Sequence, residues 1–374
     1  MKILHINCNY IGTTLHQLMA EELDKKNIKN EVFVPTYNKN IAVIKPNDNV
    51  YVSECYNKWD RFFFDYKQKK IIEAIEAHYD VASADLIHAY TLFTDGNAAR
   101  VLSEKYHIPY VVAVRNTDVN DFFRLRKNLK NRGIKNLIKA DKVFFLSESY
   151  KKTVFDKYLS KKNREIVSKK VEVIPNGIDD FWFENFNGDK NKNRDKEINL
   201  VYAGVINRNK NITATQEAMK ILRQKGIECN LTVVGKVLDK KIYEIVTSDA
   251  YTKVLPATDK KNLINIYRCA DIFVMPSITE SFGLVYAEAM TQGLPVIYTA
   301  GQGFDGQFEE GSVGYSVNCH DANDIADKIV KCVKNYSSIS KNLVGVYKFK
   351  WDKICDKYID IYKEIEKGRQ WQAP

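Results

Sequence analysis

The chain has 374 residues, 45% of them hydrophobic and 28% charged, with a formal net charge of +10. That length accommodates two domains with cores of their own, and the balance excludes disordered and fibrous classes. No uninterrupted apolar run reaches the ~20 residues of a membrane span, and Met1-Lys-Ile-Leu-His-Ile-Asn7 turns polar too soon for a signal peptide.

Strand-like runs at 3–7, 31–35, 50–54, 85–89, 110–114, 143–146 and 171–174 alternate with helical patterns such as 15–25, 68–78 and 96–106. The alternation predicts parallel sheets built from βαβ units. Positive charge is concentrated in Phe122-Phe-Arg-Leu-Arg-Lys-Asn-Leu-Lys-Asn-Arg-Gly133 and in 151–170. The first of these reads as a helix over 121–139. Its Phe122, Phe123, Leu125, Leu129 and Leu137 suit an anionic membrane surface, with an ordinary solvated helix as the alternative. No nucleic-acid-binding motif accompanies the basic segments, so no nucleic-acid partner is expected.

A polar stretch at 184–197 then breaks the pattern. It predicts a first domain over 1–180, a linker over 181–197 and a second domain over 198–350. Strand patterns restart at 198–204 and continue at 230–234, 271–275, 295–299 and 314–317; segment 351–371 is an amphipathic helix. Ligands of such sheets sit at the carboxyl ends of strands, where Gly204 and Pro276 fall. The seven cysteines are odd in number, scattered and without a Cys-x-x-Cys, as reduced thiols of a cytoplasmic protein are. There is no Asp-x-Asp and no ligand cluster at metal spacing, so no metal is expected.

The richest stretch is Met275-Pro-Ser-Ile-Thr-Glu-Ser-Phe-Gly-Leu-Val-Tyr-Ala-Glu-Ala-Met290. It leaves the 271–275 strand, turns at Pro276 and Ser277, and sets Glu280 and Glu288 eight residues apart. A helix is expected to open around 281–283 and to end at Gly293, with Pro295 as the stop. Eight helical steps of ~1.5 Å span about 12 Å, comparable with the reach from a ribose across a diphosphate to a hexose. Free N–H groups near Gly283 and Leu284 would face the diphosphate, aided by the helix dipole, and Gly283 would let it approach closely. Glu288 would accept from ribose hydroxyls and Glu280 from the sugar. Paired glutamates at this spacing also occur on solvated helix faces. The strand, the turn and the Glu-Ser-Phe-Gly-Leu context favour a sugar-nucleotide site.

With Gly293-Leu-Pro-Val296, Val173-Ile-Pro-Asn-Gly-Ile-Asp179 and Tyr202-Ala-Gly204 followed by Lys210, this stretch resembles the family 4 retaining glycosyltransferases of GT-B type, whose signature is Glu, seven residues, Glu. The resemblance spans nearly the whole chain. It implies an α/β fold of two Rossmann-like parallel-sheet domains facing across a cleft, an acceptor-side N-terminal one and a nucleotide-sugar-binding C-terminal one. The last helix, 351–374, is implied to pack back on the first domain. Donor contacts fall on Ser281, Phe282, Gly283, Leu284, Glu288 and Gly204, and catalytic roles on Glu280 and Lys210. The family's Arg after the glycine is replaced by Val205, with Arg208 in the same loop as the candidate substitute and a solvated basic loop as the alternative. In Pro109-Tyr-Val-Val-Ala-Val-Arg-Asn-Thr-Asp118, Arg115 stands where the family has an active-site His, while Asp118 keeps its place. Arg115 suits a phosphate, or an ion pair with Asp118. His88 is a candidate acceptor or sugar contact, or a core residue. Gly12 resembles a glycine of the loop beneath the donor phosphates. Glu309 and Glu310 read as structural.

The expected activity is metal-independent, retaining transfer of a hexose-type sugar from a nucleoside-diphosphate sugar, a UDP-sugar first, with no further cofactor. The expected acceptor is a hydroxyl of a saccharide or lipid-linked molecule, in capsular or exopolysaccharide assembly at the inner face of the cell membrane. The alternatives are a soluble acidic small-molecule acceptor and a catalytically silent GT-B subunit.

Overall fold

In the computed structural model, which describes residues 1–41, 47–188 and 197–370, the chain divides into two compact units. The first takes residues 1–177 together with those from 351 onward, and the second takes 178–350.

The first unit is built on seven parallel strands: β1 (Lys2–Ile6), β2 (Lys29–Pro35), β3 (Val50–Ser53), β4 (Leu86–Ala89), β5 (Tyr110–Val114), β6 (Lys142–Phe145) and β7 (Val171–Val173). Their order is β3-β2-β1-β4-β5-β6-β7, so the winding reverses between β1 and β4. Every residue of β4 and β5 is buried, the mark of a parallel sheet covered on both faces. One covering element is the helix Trp351–Gln370. Its Trp351, Ile354, Cys355, Tyr358, Ile359 and Tyr362 recur at helical spacing and pack with Ile3, Val111 and Phe144. Residue 371, which ends the expected helix, lies outside the described residues.

The basic segment 121–139 is not one amphipathic helix. It consists of a π-helical stretch (Asp118–Phe123), a 3₁₀ turn (Lys127–Leu129) and a helix (Lys130–Lys139). Phe123, Leu129 and Leu137 belong to the unit's core and Phe122 stacks on Phe93, which leaves only Leu125 of the five exposed. The apolar spacing is real, but core burial satisfies it.

The second unit carries six parallel strands: β8 (Ile198–Ala203), β9 (Cys229–Val234), β10 (Thr252–Leu255), β11 (Ile272–Met275), β12 (Val296–Thr299) and β13 (Gly314–Val317). The order β10-β9-β8-β11-β12-β13 reverses between β8 and β11. Strand β10 was not expected. It is a half-buried edge strand, Thr-Lys-Val-Leu, too short and too polar for its periodicity to stand out. The unit also begins earlier than position 198. Ile178, Trp182 and Phe183 are buried in its core, so the short helix Asp180–Glu184 belongs to the fold and not to a linker. Residues 189–196 of the expected linker lie outside the described residues. No described helix is long and apolar enough to cross a membrane.

Candidate functional site

The loops after β8 and β11, at the switch point of the second sheet, bring together Lys210 and Glu280, 70 residues apart in the sequence. After β8, Gly204 turns with φ +151°, a conformation side chains disfavour, and the chain reaches the 3₁₀ turn Arg208–Lys210. Three asparagines fix that turn. Asn207 Oδ1 accepts from the Lys210 N–H (3.1 Å). Asn209 Nδ2 donates to the Thr279 carbonyl (2.8 Å), and its Oδ1 accepts from the Thr279 N–H (3.1 Å). Asn211, left-handed at φ +55°, donates to the carbonyls of Pro276 (3.1 Å) and Cys319 (2.7 Å). The cationic loop is thereby riveted to the β11 loop, and Lys210 Nζ lies 2.5 Å from Glu280 Oε2. The pair is largely shielded from water, so its attraction is stronger than on an open surface. Arg208 is exposed and has no ion-pair partner among the described residues.

Glu280 is held from its other side by the loop after β12. Its N–H donates to Gln302 Oε1 (2.9 Å), and its carbonyl accepts from the Gly303 N–H (3.0 Å). A Cβ on Gly303 would lie 2.0 Å from the Ser281 carbonyl oxygen, so only glycine permits that approach. Glu280 therefore stands in a clamped loop, not in a helix. The helix spans Leu284–Thr291, with Gly283 at its N-cap (φ +78°), and only Glu288 of the two glutamates lies on it. The expected eight-step helical ruler is corrected accordingly: five steps, Gly283 to Glu288, are helical. The Tyr286 N–H already donates to the Gly283 carbonyl (3.0 Å), so among the described residues the N–H groups of Leu284 and Val285 are those of the first turn without an intrahelical acceptor. Phe282 is buried against Phe304 and Phe349, which leaves its backbone alone for any ligand. Ser281 is half-buried, and its N–H donates to Glu280 Oε1 (3.0 Å).

Glu288 is half-buried, and no group among the described residues donates to its carboxyl oxygens. Burial pushes its pKa up to about 7, opposed by Lys260, which itself pairs with Asp179. An under-satisfied carboxylate on a helix whose N-terminus lies five residues away suits hydroxyl donors beside an anion.

Of the four expected residues in the first unit, His88 and Asp118 are buried, Arg115 is half-buried and Gly12 is exposed. His88 is fully buried; its Nδ1 lies 2.7 Å from Tyr362 Oη, its ring stacks on Tyr90 and its Nε2 has no partner. This places it in the core and removes the expected acceptor contact. Asp118 is also buried, accepting from the N–H groups of Leu92 (3.0 Å), Phe93 (3.3 Å) and Arg115 (2.8 Å). It organises the β4 and β5 loops and offers no oxygen to an acceptor. Burial raises its pKa to about 6, against those three bonds. The Arg115 guanidinium does not pair with Asp118. Its Nε donates to the Tyr90 carbonyl (3.2 Å) and its Nη1 to Asn176 Oδ1 (2.9 Å), leaving Nη2 with no partner among the described residues. Gly12 sits exposed in the 3₁₀ turn Tyr10–Gly12, where a Cβ would meet nothing. Glu310 accepts from the Ser316 N–H (3.2 Å) and pairs with Lys328, a structural role.

Residues 184–344 match the family model of glycosyl transferases group 1, and residues 13–180 that of glycosyltransferase family 4. The two matches take in most of the chain, one in each unit. The chain belongs to the family 4 glycosyltransferases of GT-B type. Among its curated relatives is a D-inositol 3-phosphate glycosyltransferase of Pseudarthrobacter chlorophenolicus, 35% identical over 139 residues, which are 35% of this chain and 33% of that one. Another is the capsular polysaccharide biosynthesis glycosyltransferase CapM of Staphylococcus aureus, 29% identical over 214 residues, 53% of each chain. The chain thus spans only a third to about a half of the length of these relatives. A solved structure of Anabaena Alr3699/HepE in complex with UDP covers 97% of this chain and 100% of its own, at a TM-score of 0.72 and 16% identity, which shows a shared fold.

Within this family member, the residues that sequence reasoning missed are those that hold the loops: Asn207, Asn209, Asn211, Gln302 and Gly303. Asparagine at alternate positions of a loop was the available signal, since its side chain bonds nearby backbone and tolerates left-handed φ.

Proposed function

We propose that the chain transfers a hexose-type sugar, with retention, from a nucleoside-diphosphate sugar, a UDP-sugar first, to a hydroxyl of a saccharide or lipid-linked acceptor in polysaccharide assembly. The observation that carries this reading is the Lys210–Glu280 pair, clamped at the switch point beside the free helix N-terminus at Gly283. The relative named for capsular polysaccharide biosynthesis and the fold-mate bound to UDP support the setting and the donor.

In this reading the helix N-terminus and Lys210 receive the diphosphate, Glu288 accepts from the ribose and Glu280 accepts from the sugar. The acceptor oxygen bonds to the anomeric carbon as the bond from that carbon to the β-phosphate oxygen breaks. The acceptor proton passes to a phosphate oxygen on the same face. Charge grows on the leaving diphosphate, so a fixed cation counts most in the transition state. Lys210 is fixed before the donor arrives, and no reorganisation is needed at that moment.

Among the described residues no three His, Cys, Asp or Glu side chains are grouped to hold a metal ion. We propose that Lys210 and the helix N-terminus take the role of a divalent cation. The test is release of the nucleoside diphosphate from UDP-, GDP-, ADP- and TDP-sugars, with and without EDTA. Release from one donor, unchanged by EDTA, is expected. Release from none, with no donor raising the melting temperature, overturns the reading.

A further inference from the structure

The first unit carries an apolar surface that no described residue covers. Trp59, Phe62, Phe63, Tyr66 and Leu125 are each between 54% and 75% exposed, although Phe and Leu are among the residues most often buried. Four of them fall within eight consecutive residues, across the 3₁₀ turn Trp59–Phe62 and the first turn of the helix Phe64–His78. The fifth lies in the basic segment, which adjoins that turn: Arg126 Nη1 donates to the Arg61 carbonyl (3.5 Å), and Arg132 pairs with Asp65 (2.6 Å). Beneath the surface Phe64 and Phe122 meet edge to face, so the two segments form one continuous patch on a rigid base.

Its charge is one-sided. Residues 58–70 and 121–132 together hold ten lysines and arginines against three aspartates. Two of the three are already engaged, Asp60 with Lys70 (2.8 Å) and Asp65 with Arg132 (2.6 Å). Exposed Trp and Tyr ringed by basic side chains match the interface of an anionic bilayer, where the rings enter the headgroup layer and the cations meet phosphates. A second copy of the same patch is a poor partner, since it would bring two sets of like charges together.

We propose that this surface docks the protein on anionic lipid through insertion of Trp59, Phe62 and Phe63, with Arg61, Arg124, Arg126 and Lys127 as the electrostatic rim. The inference does not rest on the glycosyl-transfer reading, because a lipid-binding assay needs no donor. The experiment is co-sedimentation of the full chain with vesicles of phosphatidylcholine alone or mixed with phosphatidylglycerol, at low and high salt. Partitioning onto the anionic vesicles only, weakened by salt, is expected. The triple variant Trp59→Ser, Phe62→Ser, Phe63→Ser should lose about tenfold or more of that partitioning with an unchanged melting temperature, since all three side chains are exposed. Changing the four cations to Gln should remove the salt dependence. Equal partitioning of wild type and triple variant, or no preference for anionic vesicles, overturns the proposal. So does patch-dependent dimerisation in solution without lipid binding, which would make the occupant a second copy.

Discussion

In the proposed reading, Glu288 couples donor binding to pH. Its pKa of about 7 means that burial favours the neutral acid, and the carboxylate dominates only above that value. A carboxylate accepts from two ribose hydroxyls at once, whereas the acid gives up part of that capacity. Donor affinity should therefore rise between pH 6 and pH 8, and Glu288→Gln should flatten the rise; calorimetric titration across that range checks both. Glu288→Ala should weaken donor binding by about ten- to a hundredfold, the cost of about 1.5–3 kcal/mol for lost bonds to a charged acceptor. Lys210→Ala should depress turnover more than donor affinity, with Arg208→Ala following it if Arg208 supplies the second cation in place of the arginine that Val205 displaces. Full turnover in Arg208→Ala would leave Lys210 and the helix N-terminus as sufficient. The glutamates and Lys210 stand out in the sequence because they sit in local motifs. That Lys210 pairs with Glu280 does not, because it depends on three asparagine side chains and on a strand order no local pattern specifies.

At the scale of elements, the glycine loop after β12 holds the Glu280 backbone in place. Gly303→Ala would force the Ser281 peptide away from a 2.0 Å clash with backbone, which cannot yield as a flexible side chain would. The expected outcome is loss of donor binding with a lowered melting temperature, read by thermal unfolding with and without nucleotide. In the first unit, Tyr362→Phe would leave buried His88 with neither ring nitrogen bonded to protein. The expected cost is about 1–3 kcal/mol, measured by denaturant titration. Most strands were legible because β-branched runs between turn residues are strong signals, as in Tyr110-Val-Val-Ala-Val114. Strand β10 was hidden because half-buried edge strands keep polar residues. The apolar stripe of 121–139 misled because spacing alone does not say whether core or surface receives it.

For the whole molecule, donor binding and folding are linked by mass action. A nucleotide at 100-fold over its dissociation constant should stabilise the unit that binds it by about 2.7 kcal/mol. A thermal scan with UDP should show that shift, and Glu288→Ala should reduce it. The division of the chain has a separate consequence, for the order of synthesis. Residues 178–350 are one unbroken segment, and the core cluster of that unit is drawn from within it. The first unit closes later: Ile3, Val111 and Phe144 wait for a helix encoded more than two hundred codons after Phe144. Residues 1–177 are thus made before the segment that covers their apolar face, and a premature stop before Trp351 leaves that face uncovered.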